Sequence, residues 1–215
     1  MLKEPMNQTT SAHSSVPRQK ASGVAIRRQE GFSLLEMTIV LAILLVGGSV
    51  LFVNFNPVMQ NVHVANAYDT AWSALRRAHD EAMAENRVYV VSFVAPRTVQ
   101  VNQNTPAGPL LLALNLPSDI SFDNEPGIPA ANPPAGFGAG AKAIDFDQCC
   151  GGGGTVIAFY PDGTAHDLAG NLNNGVVYIA RAGDLYSSRA ITLTGGTGRF
   201  RGWRLANGAR NWTML

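Results

Sequence analysis

Between Arg28 and Arg76 the chain carries no basic residue. Inside that gap lies Phe32–Phe55, 24 residues that are apolar or small except for Ser33, Glu36, Thr38, Ser49 and Asn54. As a helix this stretch would be about 36 Å long, enough to span a bilayer core of about 30 Å. Arg27 and Arg28 stand immediately before it, so the positive-inside rule puts the N-terminus in the cytoplasm and the rest of the chain across the membrane. Glu36 is the exception within the run. A carboxylate in a membrane segment costs about 2.5–3.5 kcal/mol on insertion scales, and such residues are functional by default. Two plainer readings stand beside this one. In the first, the segment is an ordinary anchor with Glu36 shallow enough to reach headgroups. In the second it is a secretory signal peptide cut at Gly47, Gly48 and Ser49, which gives Glu36 no purpose and ignores the apolar residues that follow.

Composition narrows the remainder. Of the 215 residues 46% are apolar and 14% charged, which excludes a disordered chain. Two cysteines build no disulfide scaffold, and no C-x-x-C pair suggests structural zinc. A net charge of +1 argues against a general nucleic-acid coat. The charge is uneven, however. Residues 1–31 hold five basic and two acidic groups, and after Asp184 no acid follows although Arg189, Arg199, Arg201, Arg204 and Arg210 do. His13, His63, His79 and His166 are scattered, and no H-E-x-x-H, P-loop or G-x-S-x-G motif is present. The reading is therefore a non-enzyme, with no cofactor and no metal.

Residues 27–46 read R-R-Q-E-G-F-S-L-L-E-M-T-I-V-L-A-I-L-L-V. This resembles the prepilin signal of type IV pilins and type II secretion pseudopilins. Its parts are a basic leader, a Gly before the cleaved bond, a Phe after it and a Glu at the fifth mature position, here Gly31, Phe32 and Glu36. The leader of 31 residues is longer than many in the family. The resemblance implies cleavage between Gly31 and Phe32 by a membrane-embedded prepilin peptidase, then N-methylation of Phe32. It also implies assembly with other pilin or pseudopilin subunits from the inner membrane. The physics is consistent. Glu36 cannot easily reach its own chain's new amine in a straight helix, but an axially shifted neighbour can bring its amine to this carboxylate. Stranding one partner of such a buried pair costs about 3–5 kcal/mol.

Beyond the span, Pro57 and the Gly47-Gly48 pair are helix weak points. The helical pattern resumes over residues 58–86, with Val64, Tyr68, Trp72, Leu75, Ala78 or His79, and Ala82 on one face and Asp69, Arg76, Asp80 and Glu81 on the other. This half is expected to lie on a globular domain, its aromatics facing a core. Strands are expected at 88–94, 98–101, 110–114, 120–122, 155–160, 175–180, 190–194 and 198–205, with a turn at 161–164 and a hairpin turn at Gly195-Gly196. One long helix followed by short antiparallel strands is α+β, pilin-like in the terms of the resemblance. The organisation expected is a leader at 1–31, a membrane or filament-core helix at 32–57 and a periplasmic globular domain at 58–215. Residues 123–154 hold eight Gly and four Pro and read as a long loop. Within it Cys149 and Cys150 are adjacent, and three states are open: a strained vicinal disulfide, pairing with another chain, or free thiols. Asp145 and Asp147 are too few for a calcium site needing six to eight oxygens.

The stretch A-L-R-R-A-H-D-E-A-M-A-E-N-R-V-Y-V-V-S-F at 74–93 is similar to the helix-to-first-strand segment of the GspH/FimT group of minor pilins and pseudopilins. F-Y-P-D-G-T at 159–164 resembles that group's mid-domain hairpin, and G-R-F-R at 198–201 the G-R-x-R pattern of FimT-like proteins, some of which bind DNA during uptake. Independently, Arg199 and Arg201 are two apart on an expected strand and share a face, which Trp203 would join, whereas Arg204 falls on the other. Arginines beside an aromatic hold phosphates and stack bases. The plainer reading of these arginines is a solvated face or ion pairs with Asp162, Asp167 and Asp184. Two functions follow: a structural minor subunit of a secretion pseudopilus or type IV pilus, or a DNA-binding minor pilin.

Overall fold

The computed structural model describes residues 31–215 apart from 139, 141, 148–151 and 209, without the side chains of 50–58. The leader with Arg27 and Arg28, and the Cys149–Cys150 pair, lie outside the described residues. Among the described residues there is one α-helix, α1 (Leu34–Glu85), continuous across Gly47-Gly48 and Pro57. A proline removes only one amide donor from a helix, and the expected restart at residue 58 is not a break. The chain divides into two compact units between Gly47 and Gly48.

In the first unit, residues 31–33 precede α1 and the helix then exposes every side chain from Leu34 to Gly47. In the second unit the strands are β1 (Tyr89–Val94), β2 (Thr98–Gln103), β3 (Leu110–Asn115), β4 (Ile144–Asp145), β5 (Val156–Phe159), β6 (Ala165–His166), β7 (Gly175–Arg181), β8 (Asp184–Thr194), β9 (Arg199–Leu205) and β10 (Trp212–Met214). They form two five-stranded sheets in the orders β3-β2-β1-β5-β6 and β10-β9-β8-β7-β4. Every pairing is antiparallel. The architecture is α+β: a helix packed on two antiparallel sheets.

The core lies between α1 and the inner faces of both sheets. Val64, Ala67, Ala71, Ala74, Leu75, Ala78 and Ala82 of α1 meet Val91, Phe93, Val99, Val101, Ile157, Phe159, Val177, Ile179, Ile191 and Leu193. Five of the seven helix contacts are alanines, so the helix axis sits close to the strands. Tyr68 and Trp72, expected to face the core, flank it half-buried.

The structure corrects the sequence reading in three further places. The segment 123–154 is not a bare loop. It carries β4, which pairs with β7, and a 3-10 turn at Pro134–Gly136. Its Ile128 and Phe137 pack with Trp203 and Trp212 over Val176, Tyr178 and Ala190 on the outer face of the second sheet. β8 also starts at Asp184 rather than 190. Its polar first half is stabilised locally: the Ser187 hydroxyl donates to the Asp184 carbonyl at 2.6 Å and accepts the Arg181 amide at 2.9 Å. Residues 120–122 form one isolated bridge, Ser121 with Ala180, instead of a strand. The turn at 161–164 closes with the Tyr160 amide on the Thr164 carbonyl at 2.9 Å, with Gly163 at φ +84.

Candidate functional site

The processing segment is short and open. Gly31, Phe32 and Ser33 have no assigned secondary structure and are exposed, with nothing crowding the Gly31 Cα. Helix α1 starts one residue later, the Met37 amide donating to the Ser33 carbonyl at 3.1 Å and the Thr38 hydroxyl to the Leu35 carbonyl at 2.8 Å. Glu36 therefore occupies the first turn of α1, where a negative charge is favoured by the unpaired amides of a helix N-terminus. It is exposed and followed by exposed Met37, Ile39, Val40, Leu41, Ile43, Leu44, Leu45 and Val46. So large an uncovered apolar surface marks a contact with other protein or with lipid. Among the described residues no helix is long and apolar enough to cross a membrane. The expected span at 32–57 runs into residues 50–58, whose side chains lie outside the description.

The arginines sort by strand alternation. Arg199 and Arg201 are exposed, Phe200 and Gly202 turn to α1, and Arg204 follows them on the α1 side. Trp203 does not stand free beside the first pair. Its Nε1 donates to the Thr192 hydroxyl at 2.9 Å and its ring packs in the outer-face cluster. Arg199 instead shares a groove of about 500 Å³ with Trp72, Arg76, His79, Asp80 and Phe200. Trp72 stacks on Tyr68 at 5.7 Å and meets Phe200 edge-on at 5.8 Å. Sequence reading assigned Trp72 to the core. Its helical spacing from Arg76, four residues on, was the signal that places both on one flank.

The histidine and carboxylates singled out elsewhere in the domain have structural partners. His63 Nδ1 lies 2.9 Å from Asp119. Desolvation pushes the Asp119 carboxyl up, but the His63 hydrogen bond, a backbone hydrogen bond and the charges of His63 and Arg181 together hold it below the usual range. Asp145 accepts the Gly153 amide at 2.7 Å, and Asp147 accepts the Asn173 amide group at 2.6 Å. Burial raises the Asp147 carboxyl, against that bond. Asp162 accepts both the amide and the hydroxyl of Thr164, which keep its carboxyl low. Neither Asp162 nor Asp167 nor Asp184 forms an ion pair with Arg199, Arg201 or Arg204 among the described residues. No group of three or more metal-ligating side chains occurs among them either.

Comparison with known proteins agrees with the first of these features. A family model described as the prokaryotic N-terminal methylation motif matches residues 26–52. The chain thus carries the N-terminal methylation motif of prepilin-type proteins over the segment that contains Gly31, Phe32 and Glu36. Among solved structures it is similar to the minor pseudopilin EpsH from the type 2 secretion system of Vibrio cholerae, at 13% identity and a TM-score of 0.40. That similarity covers 65% of this chain and 97% of the other. No curated protein matches the chain.

Proposed function

We propose that this chain is a structural minor subunit of a pilus or type II secretion pseudopilus. It inserts through the apolar half of α1 and is cut between Gly31 and Phe32 by prepilin peptidase. Phe32 is then N-methylated, and the subunit joins a filament with its domain on the periplasmic side. The observation that carries this reading is the methylation motif over residues 26–52. It is supported by the uncovered apolar face that follows Glu36. Glu36 sets axial register by accepting the amine of a neighbouring subunit, because a buried carboxylate there without a cation is strongly unfavourable. The expected result for Glu36→Ala is a protein that is stably expressed and processed yet absent from sheared filaments. Normal incorporation would refute the register role.

A second reading, a DNA-binding minor pilin, is favoured by one observation: Arg199 and Arg201 are exposed on a shared face without acidic partners among the described residues. Phosphate contacts of this kind give salt-dependent affinity. The double variant Arg199→Gln, Arg201→Gln should then weaken duplex DNA binding and flatten its salt dependence. An unchanged affinity across the salt series would leave the structural reading alone.

A further inference from the structure

Two like charges stand without a counter-charge where α1 meets the second sheet. Arg189 of β8 and Arg204 of β9 are directly opposite each other in register. Alternation from Ile191 and Leu193, which are core residues, puts Arg189 on the α1 side, and alternation from Gly202 does the same for Arg204. Tyr68 of α1 lies against Gly202, its hydroxyl where a side chain at that position would be. Arg189 is partly buried, and its Nη1 is shut off from solvent with no hydrogen-bond partner. No carboxylate among the described residues pairs with either arginine. Asp69, the acid beside Tyr68 in sequence, is exposed and forms no ion pair there.

Like charges directly opposite on a sheet are destabilising, and a buried donor without an acceptor costs more than a hydrogen bond returns. A bound oxyanion reverses both terms. Guanidinium forks match tetrahedral and planar oxyanions in bidentate fashion, and a phenol adds a third donor. We propose that Tyr68, Arg189 and Arg204 bind a phosphoryl group, supplied by an anionic phospholipid headgroup or by free phosphate.

The surrounding basic groups favour the headgroup, because anionic lipid surfaces attract clustered arginines. Gly198 lies against His79 and Gly202 against Tyr68, so β9 runs along α1 from His79 back to Tyr68. The β9–β10 turn with Arg210 and the last residue of β7, Arg181, extend further the same way. Of these two, only Arg181 faces an acid in register, Asp184. The basic groups therefore gather at the Tyr68 end of the second sheet. The lipid source rests on the anchoring proposed above, whereas the phosphate source does not.

The test uses the full chain in zwitterionic detergent, melted in phosphate and in chloride at equal ionic strength. A second arm uses nanodiscs of phosphatidylcholine with and without phosphatidylglycerol. Phosphate should raise the melting temperature of the wild type above its value in chloride, as a ligand of the native state does. Arg189→Gln with Arg204→Gln should abolish the difference and, having lost the repelling pair, melt no lower than wild type in chloride. If that variant fails to fold, Arg204→Gln alone, at an exposed position, should move the phosphate midpoint at least tenfold higher. Equal melting of the wild type in both salts, or an undiminished phosphate effect in the variants, would overturn the site. Phosphatidylglycerol should stabilise wild type but not the double variant. Stabilisation by phosphate with none by phosphatidylglycerol keeps the site and assigns free phosphate as its ligand.

Discussion

Gly202 allows Tyr68 to lie flat on the second sheet. Its φ is ordinary, so backbone freedom is not why glycine is there. Any side chain would occupy the space of the Tyr68 hydroxyl. Burial also pushes that phenol up to about 12, helped by Asp69 and opposed by Arg189, so it is a neutral donor at any physiological pH. Gly202→Ala should cost about 1–3 kcal/mol by overpacking. Adding Tyr68→Phe should recover part of that loss in a double-mutant cycle read by thermal melting. A fully additive pair would mean that the two residues do not touch. At this scale a sequence displays motifs whose residues are neighbours in the chain and hides clusters that the fold assembles. Gly31, Phe32 and Glu36 stood out because their meaning depends on neighbours in the chain. The Arg189–Arg204 pair did not, because it exists only through strand register.

At the scale of elements, α1 carries two different surfaces. Its first half exposes Leu, Ile and Val all round, and its second half buries alanines at 67, 71, 74, 78 and 82. The period of three and four was visible, but the eye goes to Tyr68 and Trp72, which are large. Small residues make the contact because they let the helix approach the strands, and the aromatics then fill the sides. Ala71→Leu should therefore destabilise the domain by about 1–3 kcal/mol, since Ala71 is fully buried and a larger side chain must push the helix off both sheets. A melting temperature equal to wild type would show a looser contact than the structure has. The strands with alternating apolar residues were legible. β4, β6 and β10 were not, being two or three residues long and held by pairing rather than by pattern. The glycine- and proline-rich segment misled for the same reason: Ile128, Phe137, the core residue Phe146, the Asp147–Asn173 bond and the β4 pairing attach it to the domain, and their partners are distant in sequence.

At the scale of the molecule, one chain combines an uncovered apolar helix with a domain that has a complete core of its own. The two join at Gly47-Gly48, a pair that the sequence had marked as a weak point of the helix. The core of the domain takes its α1 side chains from Val64 to Ala82, whereas the apolar side chains at 34–46 are exposed. This is what a filament subunit requires, and it makes processing of the N-terminus the central claim. Intact-mass spectrometry of the protein expressed with and without a prepilin peptidase tests it most directly. Loss of residues 1–31 in the presence of the peptidase, with one methyl added to Phe32, is the predicted result. The full-length mass in both cases, or a cut near Ser49, would contradict it.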